Sequence, residues 1–333
     1  MKKAILIMIS LVTIVASVMI AGCGPQEVKK PPDEVTVQLK WIHQAQFAGL
    51  YIADKKGFYA EENINVTLIP GGPEITEEII PDLVKGDSDF AITSGDRLLQ
   101  ARSEGKPVIA IAAIFQKNPY VYLSLKESGI QRPQDLAGKK IMVAPDGELL
   151  HTALLGRLGI DSNDVELIPY TRDVVPLTIG QIDAHMVYRT GTGLAFDETE
   201  YEFNVIWVDD YGIRGYADTI VVTEQLVQQN PELVERFLRA TLKGWRSTIE
   251  NPDEAVDMTL QYDATLSRDR QARMMVVQTP IIHTGQCNIG WMEENIWQGL
   301  YDILLDGGAI TRPINVAEVY TMEFLSRIHI KGE

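Results

Sequence analysis

One stretch of the chain, residues 35–72, limits the folds that are open to the rest. Residues 35–39 alternate apolar and polar side chains, which is the period-2 pattern of a half-buried strand. Apolar residues over 47–53 then repeat at helical spacing until Gly57, where the predicted helix ends. A second strand is predicted over residues 65–69. This order predicts a βαβ unit, whose first strand ends where open α/β sheets bind ligands.

The alternation of strands and helices continues along most of the chain. Continuous apolar residues over 108–115 predict a buried parallel strand of a first wound sheet, and the alternation restarts at residue 120 for a second sheet. A strand over 217–222 is expected to return toward the first domain, and from Pro231 onward the pattern is almost entirely helical. The predicted fold class is α/β with two domains, each a wound sheet with flanking helices. The predicted domains, joined by a hinge of two crossings, are residues 34–118 with 223–333 and residues 119–222.

The N-terminus carries the features of an export signal. Two lysines are followed by an apolar run over residues 4–20 and by the sequence IAGC, which ends at Cys23. This pattern predicts a lipoprotein signal peptide over residues 1–22 and a lipid, with palmitate as the expected fatty acid, on the Cys23 thiol. An uncleaved membrane anchor is the alternative. Residues 23–33 are predicted to form a polar tether that attaches the protein to the extracytoplasmic face of a membrane.

The charge balance and the missing motifs exclude several function classes. The chain has a formal net charge of -16 and no basic cluster, which argues against nucleic acid as a partner. The same charge provides no long-range attraction for anions. The sequence contains no Walker loop, dinucleotide fingerprint, nucleophile elbow or zinc-protease motif, and its five histidines lack metal-ligand spacing. We therefore expect a protein that is not an enzyme and that has no cofactor and no metal.

Aromatic and amide side chains collect instead at the ends of predicted strands. Tyr and Trp combine stacking area with one hydrogen-bonding end, and amides both donate and accept, so together they suit an uncharged ring with polar edges. Arg189 is the exception, because a guanidinium at a strand end can bind an anion with two hydrogen bonds. The predicted ligand-binding residues are Trp41, Gln44, Gln46, Phe47, Ser94, Gln116, Asn118, Tyr188, Arg189, Tyr211 and Tyr216.

Four stretches of the sequence resemble a known superfamily. It is that of the periplasmic solute-binding proteins that share a fold with thiamine-pyrimidine synthases. Its members include receptors of ABC importers for nitrate, sulfonates, pyrimidine precursors of thiamine, and riboflavin. The resemblance implies a type II-like periplasmic-binding-protein fold, an ABC permease and ATPase as partners, and a monomer. The stretches are LKWIHQAQFAGLYIADKKGFYAEENINVTLIPGG (39–72), FQKNP (115–119), NPELVERFLRATLKGW (230–245) and IGWMEENIWQGLYDILLDGGAI (289–310).

The resemblance also implies a choice of ligands. Riboflavin and a thiamine pyrimidine precursor are the leading candidates, and an anion such as nitrate, a sulfonate or taurine is the alternative. The pyrimidine-binding relatives resemble one another in using a glutamate just after the strand that here ends at Tyr188. This sequence has Thr190, Gly191 and Thr192 there, which leaves riboflavin ahead. A pyrimidine synthase is a further alternative, although the cysteine-rich motif of those enzymes is missing from this sequence. An extracytoplasmic partner of a sensor is another.

Overall fold

The structure is a computed structural model that describes residues 30–285 and 287–330. The predicted signal peptide, its lipid acceptor Cys23 and most of the tether lie outside the described residues. Two five-stranded sheets with flanking helices make up the fold, which confirms the predicted α/β class. Within the described ranges, no helix has both the length and the apolar character needed to cross a membrane.

The strands and helices follow the predicted order closely. The strands are β1 (Asp33–Gln38), β2 (Ile64–Ile69), β3 (Phe90–Thr93), β4 (Val108–Phe115), β5 (Tyr120–Leu125), β6 (Lys140–Val143), β7 (Glu166–Ile168), β8 (Ala184–Tyr188), β9 (Phe203–Trp207) and β10 (Ala217–Thr223). The helices before β10 are α1 (Ala48–Lys55), α2 (Phe58–Glu61), α3 (Ile79–Lys85), α4 (Gly95–Ser103), α5 (Glu148–Leu158), α6 (Val175–Thr178) and α7 (Gly193–Phe196). Those after it are α8 (Glu224–Gln229), α9 (Pro231–Glu250), α10 (Pro252–Leu260), α11 (Arg268–Ile282), α12 (Glu294–Asp306) and α13 (Glu323–Ile330).

The first sheet differs from the prediction in one strand direction. Its order is β2-β1-β3-β10-β4, with β1 parallel to β2 and β3, and β10 antiparallel to both β3 and β4. Strand β4 therefore runs in the same direction as β1, β2 and β3, as predicted, but the strand that it pairs with, β10, is antiparallel to it. A continuous apolar run indicates burial on both faces, and burial alone does not determine the direction of the neighbouring strand. That neighbour is β10, which enters the sheet on the chain's return from the second one.

The chain passes between the sheets twice. The second sheet has the order β7-β6-β8-β5-β9, with β6 parallel to β7 and β8 and with β5 antiparallel to β8 and β9. Residues 116–119 connect β4 to β5, and residues 208–216 connect β9 to β10. The expected boundary after residue 222 would place β10 in the second domain, but its pairing places it in the first sheet. The division into two domains with a hinge stays a prediction.

The first helix, α1, packs closely against the long helix α9. Gly244 of α9 approaches α1 so closely that a Cβ atom there would stand 2.1 Å from the carbonyl oxygen of Gly49. The Tyr59 and Thr241 hydroxyls add a buried hydrogen bond of 2.8 Å next to this contact. Because α1 follows directly after the loop that leaves β1, this packing holds the base of that loop in place.

A histidine is buried inside the second sheet. His185 of β8 is 0% exposed and lies between the rings of Tyr170 and Phe196, at centroid distances of 5.9 and 5.6 Å. In the part of the chain that the structure describes, neither of its ring nitrogens has a hydrogen-bond partner. Burial lowers the pKa of His185 to about 4, because the charged imidazolium cannot be hydrated there.

This burial predicts a pH-dependent stability. In the unfolded chain His185 has a pKa of about 6.5, so between about pH 6.5 and 4 the unfolded chain binds more protons than the folded protein. The free energy of unfolding should therefore fall as the pH falls through this window, by up to about 1.4 kcal/mol per pH unit for this residue. His185→Phe, which keeps a ring, should reduce that slope. Urea unfolding at pH 7, 6 and 5 measures it, and equal slopes for both proteins would contradict the prediction.

Candidate functional site

A polar cleft lies between the two sheets, where β1, β6 and β8 end. The cavity within it measures about 20 Å³, which is room for about one water molecule. Residues that line it from the first sheet's side are Lys40, Trp41, Gln44 and Gln46. Residues that line it from the second sheet's side include Asp146, Tyr170, Tyr188, Gly191 and Thr192. The cleft therefore combines aromatic rings, amides and charged groups.

The Lys40 ammonium is the centre of the polar contacts. It lies 3.1 Å from the Asp146 carboxylate and 3.8 Å from the Asp218 carboxylate, and it donates a hydrogen bond of 2.8 Å to the Tyr188 hydroxyl. It also stands 4.3 Å from the centre of the Tyr188 ring. Only 4% of Lys40 is exposed. Because Asp146 and Tyr188 belong to the second sheet, these contacts connect the two sides of the cleft.

A chain of amide hydrogen bonds begins at Asp218 in β10. The Gln46 amide donates to both Asp218 carboxylate oxygens, at 3.0 and 2.8 Å, and its own oxygen accepts from the Gln44 amide at 2.6 Å. The Tyr188 hydroxyl donates to Asp218 at 3.2 Å. Both carboxylate oxygens accept from the same Gln46 nitrogen, which identifies the donor end of Gln46 and, through Gln46, sets the orientation of Gln44.

Asp218 has an unusual backbone conformation. Its φ of 52° lies in the left-handed region, although the residue sits within a buried strand. Such a conformation costs about 1–3 kcal/mol in a residue other than glycine and persists only where its surroundings enforce it. It places the carboxylate beside Lys40 and Gln46, on a strand whose other residues are all uncharged.

Burial and charge shift the acid–base behaviour of the site. Burial raises the pKa of the Asp218 carboxyl, and the Lys40 ammonium opposes that shift. Burial also raises the pKa of the Asp96 carboxyl, which Arg97 opposes most strongly. The pKa of Tyr188 lies well above its usual value because of burial and the neighbouring Asp218 carboxylate. Tyr188 is therefore protonated at neutral pH and can act as a hydrogen-bond donor.

The loop that carries Lys40 and Trp41 is held by a glycine. The Gly71 backbone N–H donates to the Trp41 carbonyl at 2.9 Å. A Cβ atom at Gly71 would stand 2.3 Å from the Leu39 carbonyl oxygen and 2.9 Å from the Trp41 nitrogen. This turn therefore needs glycine because two backbone segments meet there, and the contact fixes where the β1 loop enters the cleft.

The structure brings four of the predicted ligand residues together. Trp41, Gln44, Gln46 and Tyr188 all line the cleft. Four others lie at the two crossings between the sheets: Gln116, Asn118, Tyr211 and Tyr216. Gln116 donates to the backbone carbonyls of Ala113 and Trp291, the Asn118 side chain accepts from the Tyr120 backbone, and the Tyr216 hydroxyl accepts from the Glu293 backbone. Tyr211 packs partly buried against the core.

The remaining three predicted residues are placed outside the cleft lining. Phe47 is part of the hydrophobic core, with 1% exposed. Ser94 is buried at the N-cap position of α4, and its side chain makes no cap hydrogen bond. The Arg189 guanidinium forms an ion pair with Asp197 at 2.8 Å and donates to the Gly193 carbonyl at 3.3 Å. The expected anion clamp therefore already has a carboxylate partner.

Three charged residues at the centre of the cleft, Lys40, Asp146 and Asp218, were not predicted from the sequence. Lys40 and Asp146 each follow a strand, and no local sequence pattern shows which residues they contact. Asp218 could have been found from the sequence, since it is the one charged residue in the predicted strand ADTIVV. A buried charge of this kind requires a partner of opposite charge or strong hydrogen bonds.

Comparisons with known proteins agree with this architecture. A family model described as "NMT1/THI5 like" matches residues 44–255. The periplasmic aliphatic sulphonate binding protein SsuA from Escherichia coli superposes with a TM-score of 0.69 at 13% identity, over 86% of this chain and 97% of SsuA. That likeness concerns the fold, and it confirms the predicted periplasmic-binding-protein architecture.

Three relatives share more of the sequence. The chain is 30% identical over 311 residues to the riboflavin-binding protein RibY of Chloroflexus aurantiacus, covering 88% of this chain and 86% of RibY. It is 25% identical to a 4-amino-5-hydroxymethyl-2-methylpyrimidine phosphate synthase of Legionella pneumophila, over 87% of this chain and 92% of the synthase. It is 27% identical to the formylaminopyrimidine-binding protein of Halalkalibacterium halodurans, over 68% of this chain and 70% of that protein.

The close contact of Gly71 with the loop after β1 predicts that substitutions at Gly71 and at its neighbour Gly72 differ strongly in their effect on stability. Gly71→Ala should lower the free energy of unfolding by about 1–3 kcal/mol, because its Cβ has backbone rather than a movable side chain against it. Gly72→Ala is the matched control. Its backbone is extended and its Cβ would meet only the movable Glu74 carboxylate, so we expect a change below about 0.5 kcal/mol. Equal losses in urea unfolding would show that Gly71 does not hold the loop.

Proposed function

The chain belongs to the NMT1/THI5-like family, and from this premise we propose that it is an extracytoplasmic solute-binding protein for a small, uncharged heteroaromatic ligand. Riboflavin or a thiamine pyrimidine precursor is the proposed ligand, and an ABC permease is the proposed recipient. The observation that carries this proposal is the composition of the cleft, where Trp41, Tyr170 and Tyr188 lie with Gln44 around one buried space.

The aromatic and amide groups suit a planar ring. Stacked aromatic pairs contribute about 0.5–1.5 kcal/mol beyond the area that they bury. Trp41 and Tyr188 are each 8% exposed and stand on opposite sides of the cleft. Gln44 can give a donor or an acceptor to the polar edge of a ring. The names of RibY and of the formylaminopyrimidine-binding protein support ligands of this chemical class.

The charges of the cleft oppose an anionic ligand. Lys40, the sole cation among the described lining residues, is already balanced by Asp146 and Asp218. Arg189, the other candidate for binding an anion, is paired with Asp197. A sulfonate or nitrate in this cleft would therefore face two carboxylates with no additional positive charge. SsuA resembles this chain only in fold and does not alter this argument.

Ligand binding requires the two sheets to move apart. Small-molecule sites enclose about 300–1,000 Å³, whereas the cavity here measures about 20 Å³. The crossings over residues 116–119 and 208–216 are the covalent links between the sheets. We propose that they act as the hinge, so that the cleft opens, admits the ring and closes around it.

The ligand class is tested by calorimetry with riboflavin, an aminopyrimidine, thiamine, taurine and nitrate. We expect riboflavin or the aminopyrimidine to bind most tightly. Trp41→Ala should weaken that binding on the order of 100-fold, because a buried ring loses its stacking partner. Arg189→Ala should change it by less than about threefold, since its guanidinium is engaged by Asp197.

The same experiment separates the alternatives. Tight binding of taurine or nitrate alone, lost in Arg189→Ala and retained in Trp41→Ala, would contradict an aromatic ligand. The Legionella synthase is an enzyme by name, so the bound compound should also be recovered and weighed by mass spectrometry. An unchanged mass fits a binding protein. A chemically altered product would favour the enzyme hypothesis.

We further propose that the protein is a lipoprotein anchored through Cys23, which lies outside the described residues. The motif IAGC supports this location, as does the periplasmic-binding-protein fold. Wild-type protein from cell membranes should carry a diacylglyceryl mass on Cys23, and Cys23→Ser should lack it. An unmodified Cys23 in the wild type would refute the anchor. Delivery to a permease would appear as ligand-dependent co-purification of an ABC transporter from the same membranes.

A further inference from the structure

The contacts of Lys40 indicate what the edge of the ligand must offer. The ammonium has three N–H donors, and three acceptors surround it: the Tyr188 hydroxyl at 2.8 Å, Asp146 at 3.1 Å and Asp218 at 3.8 Å. Asp218 belongs to the same sheet as Lys40, and Asp146 and Tyr188 belong to the other one. Any separation of the sheets therefore breaks the contacts of Lys40 with Asp146 and Tyr188.

The two carboxylates respond differently to such a separation. Asp218 keeps the two hydrogen bonds from Gln46, which lies on its own side of the cleft. Asp146 loses the Lys40 ammonium. The neighbouring cation, Arg97, lies in α4 on the first sheet's side, so its hydrogen bond of 2.7 Å to the Pro145 carbonyl breaks in the same separation, while its ion pair with Glu77 at 2.7 Å can remain.

A ring that occupies the cleft must therefore replace the contacts that the separation breaks, since Lys40 keeps only the Asp218 carboxylate at 3.8 Å, beyond hydrogen-bonding distance. When the cleft closes again, Lys40 and Asp146 are both shielded from water. In the present structure only 4% of Lys40 and 6% of Asp146 are exposed. A buried charge without a partner is among the most costly features that a protein interior can contain. The ligand has to supply an acceptor to Lys40 and a donor to Asp146, from positions close together on one edge.

We propose that the ligand is recognised through an edge on which a hydrogen-bond acceptor lies beside a donor, with the acceptor on Lys40 and the donor on Asp146. This inference rests on the proposed function and narrows it. The edge of riboflavin in which a ring N–H stands between two carbonyls meets the requirement. So does an aminopyrimidine, whose ring nitrogen lies beside an amine. A nitrate or sulfonate offers acceptors only, so it gives Asp146 no donor in place of the Lys40 ammonium.

The oriented amides support the same edge. Asp218 fixes Gln46, and Gln46 accepts from Gln44 at 2.6 Å, so one amide hydrogen of Gln44 is used within the protein. The side chain of Gln44 also reaches across the cleft, because its nitrogen lies 3.7 Å from the point where a Cβ atom at Gly191 would stand. Gln44 is therefore held next to the place where the ring edge enters, and Gln46 is a positioning residue for it.

The test compares pairs of ligands in which one member lacks the donor and has a methyl-bearing group in its place. Riboflavin is paired with its 3-methyl derivative, in which the ring N–H is replaced. The aminopyrimidine is paired with an analogue that has a methoxy group instead of the amine. For whichever pair binds, the wild type should prefer the donor-bearing member by about 10- to 100-fold, the usual effect of a hydrogen bond to a charged group.

Variants of Asp146 test whether its carboxylate accepts the hydrogen bond that the ligand donates. Asp146→Ala should reduce that preference to less than about threefold, and the more conservative Asp146→Asn should reduce it in part. Asp164→Ala is the matched control, because this carboxylate is exposed in the turn before β7, and it should keep the full preference. Comparing two ligands within one variant cancels any effect of the substitution on folding or on closure of the cleft.

The outcomes distinguish this inference from the function on which it rests. If riboflavin or the aminopyrimidine binds tightly but the preference is absent, or survives in Asp146→Ala, the assignment of the edge is overturned and the proposed function stands. If only taurine or nitrate binds, both are overturned.

Discussion

The buried contact of the Lys40 ammonium with Asp146 and Tyr188 is the interaction on which the site depends. Removing two charges from water costs about as much as their attraction returns, so an intact buried ion pair adds little net stability. Separating the pair while both groups stay buried is strongly unfavourable. The closed conformation is therefore favourable when the cleft is empty or holds a ligand that contacts both Lys40 and Asp146. It is unfavourable when the cleft holds any other ligand.

The rest of the fold places these groups within reach of one another. Strand β10 returns from the second sheet and carries Asp218, whose φ of 52° presents its carboxylate to the cleft. On the other side of β1, Gly71 lies against the backbone of the Lys40 loop and sets its position. The strain at Asp218 and the close contact at Gly71 both stand beside the polar cluster. Sites of this kind often contain local strain that the surrounding structure maintains.

Local features of the fold were predictable from the sequence, and long-range pairing was not. Gly57 has a left-handed backbone just after α1, where the sequence predicted the end of that helix, and Gly86 and Gly159 have the same conformation at the ends of α3 and α5. The antiparallel entry of β10 beside β4 depends on a distant part of the chain, which no local pattern reveals. Lys40 was missed for the same reason, since Tyr188 lies 148 residues away. Arg189 was assigned to a ligand because its pairing with Asp197 depends on a turn whose geometry the sequence does not show.

The measurement that tests the central claim most directly is a crystal structure of the protein with riboflavin or the aminopyrimidine bound. The account predicts a ring between Trp41 and Tyr188, with its acceptor on the Lys40 ammonium and its donor on the Asp146 carboxylate, and with the two sheets farther apart than they are here. A ligand bound elsewhere, or one held by Arg189 while the Lys40–Asp146 contact stays intact, would contradict it.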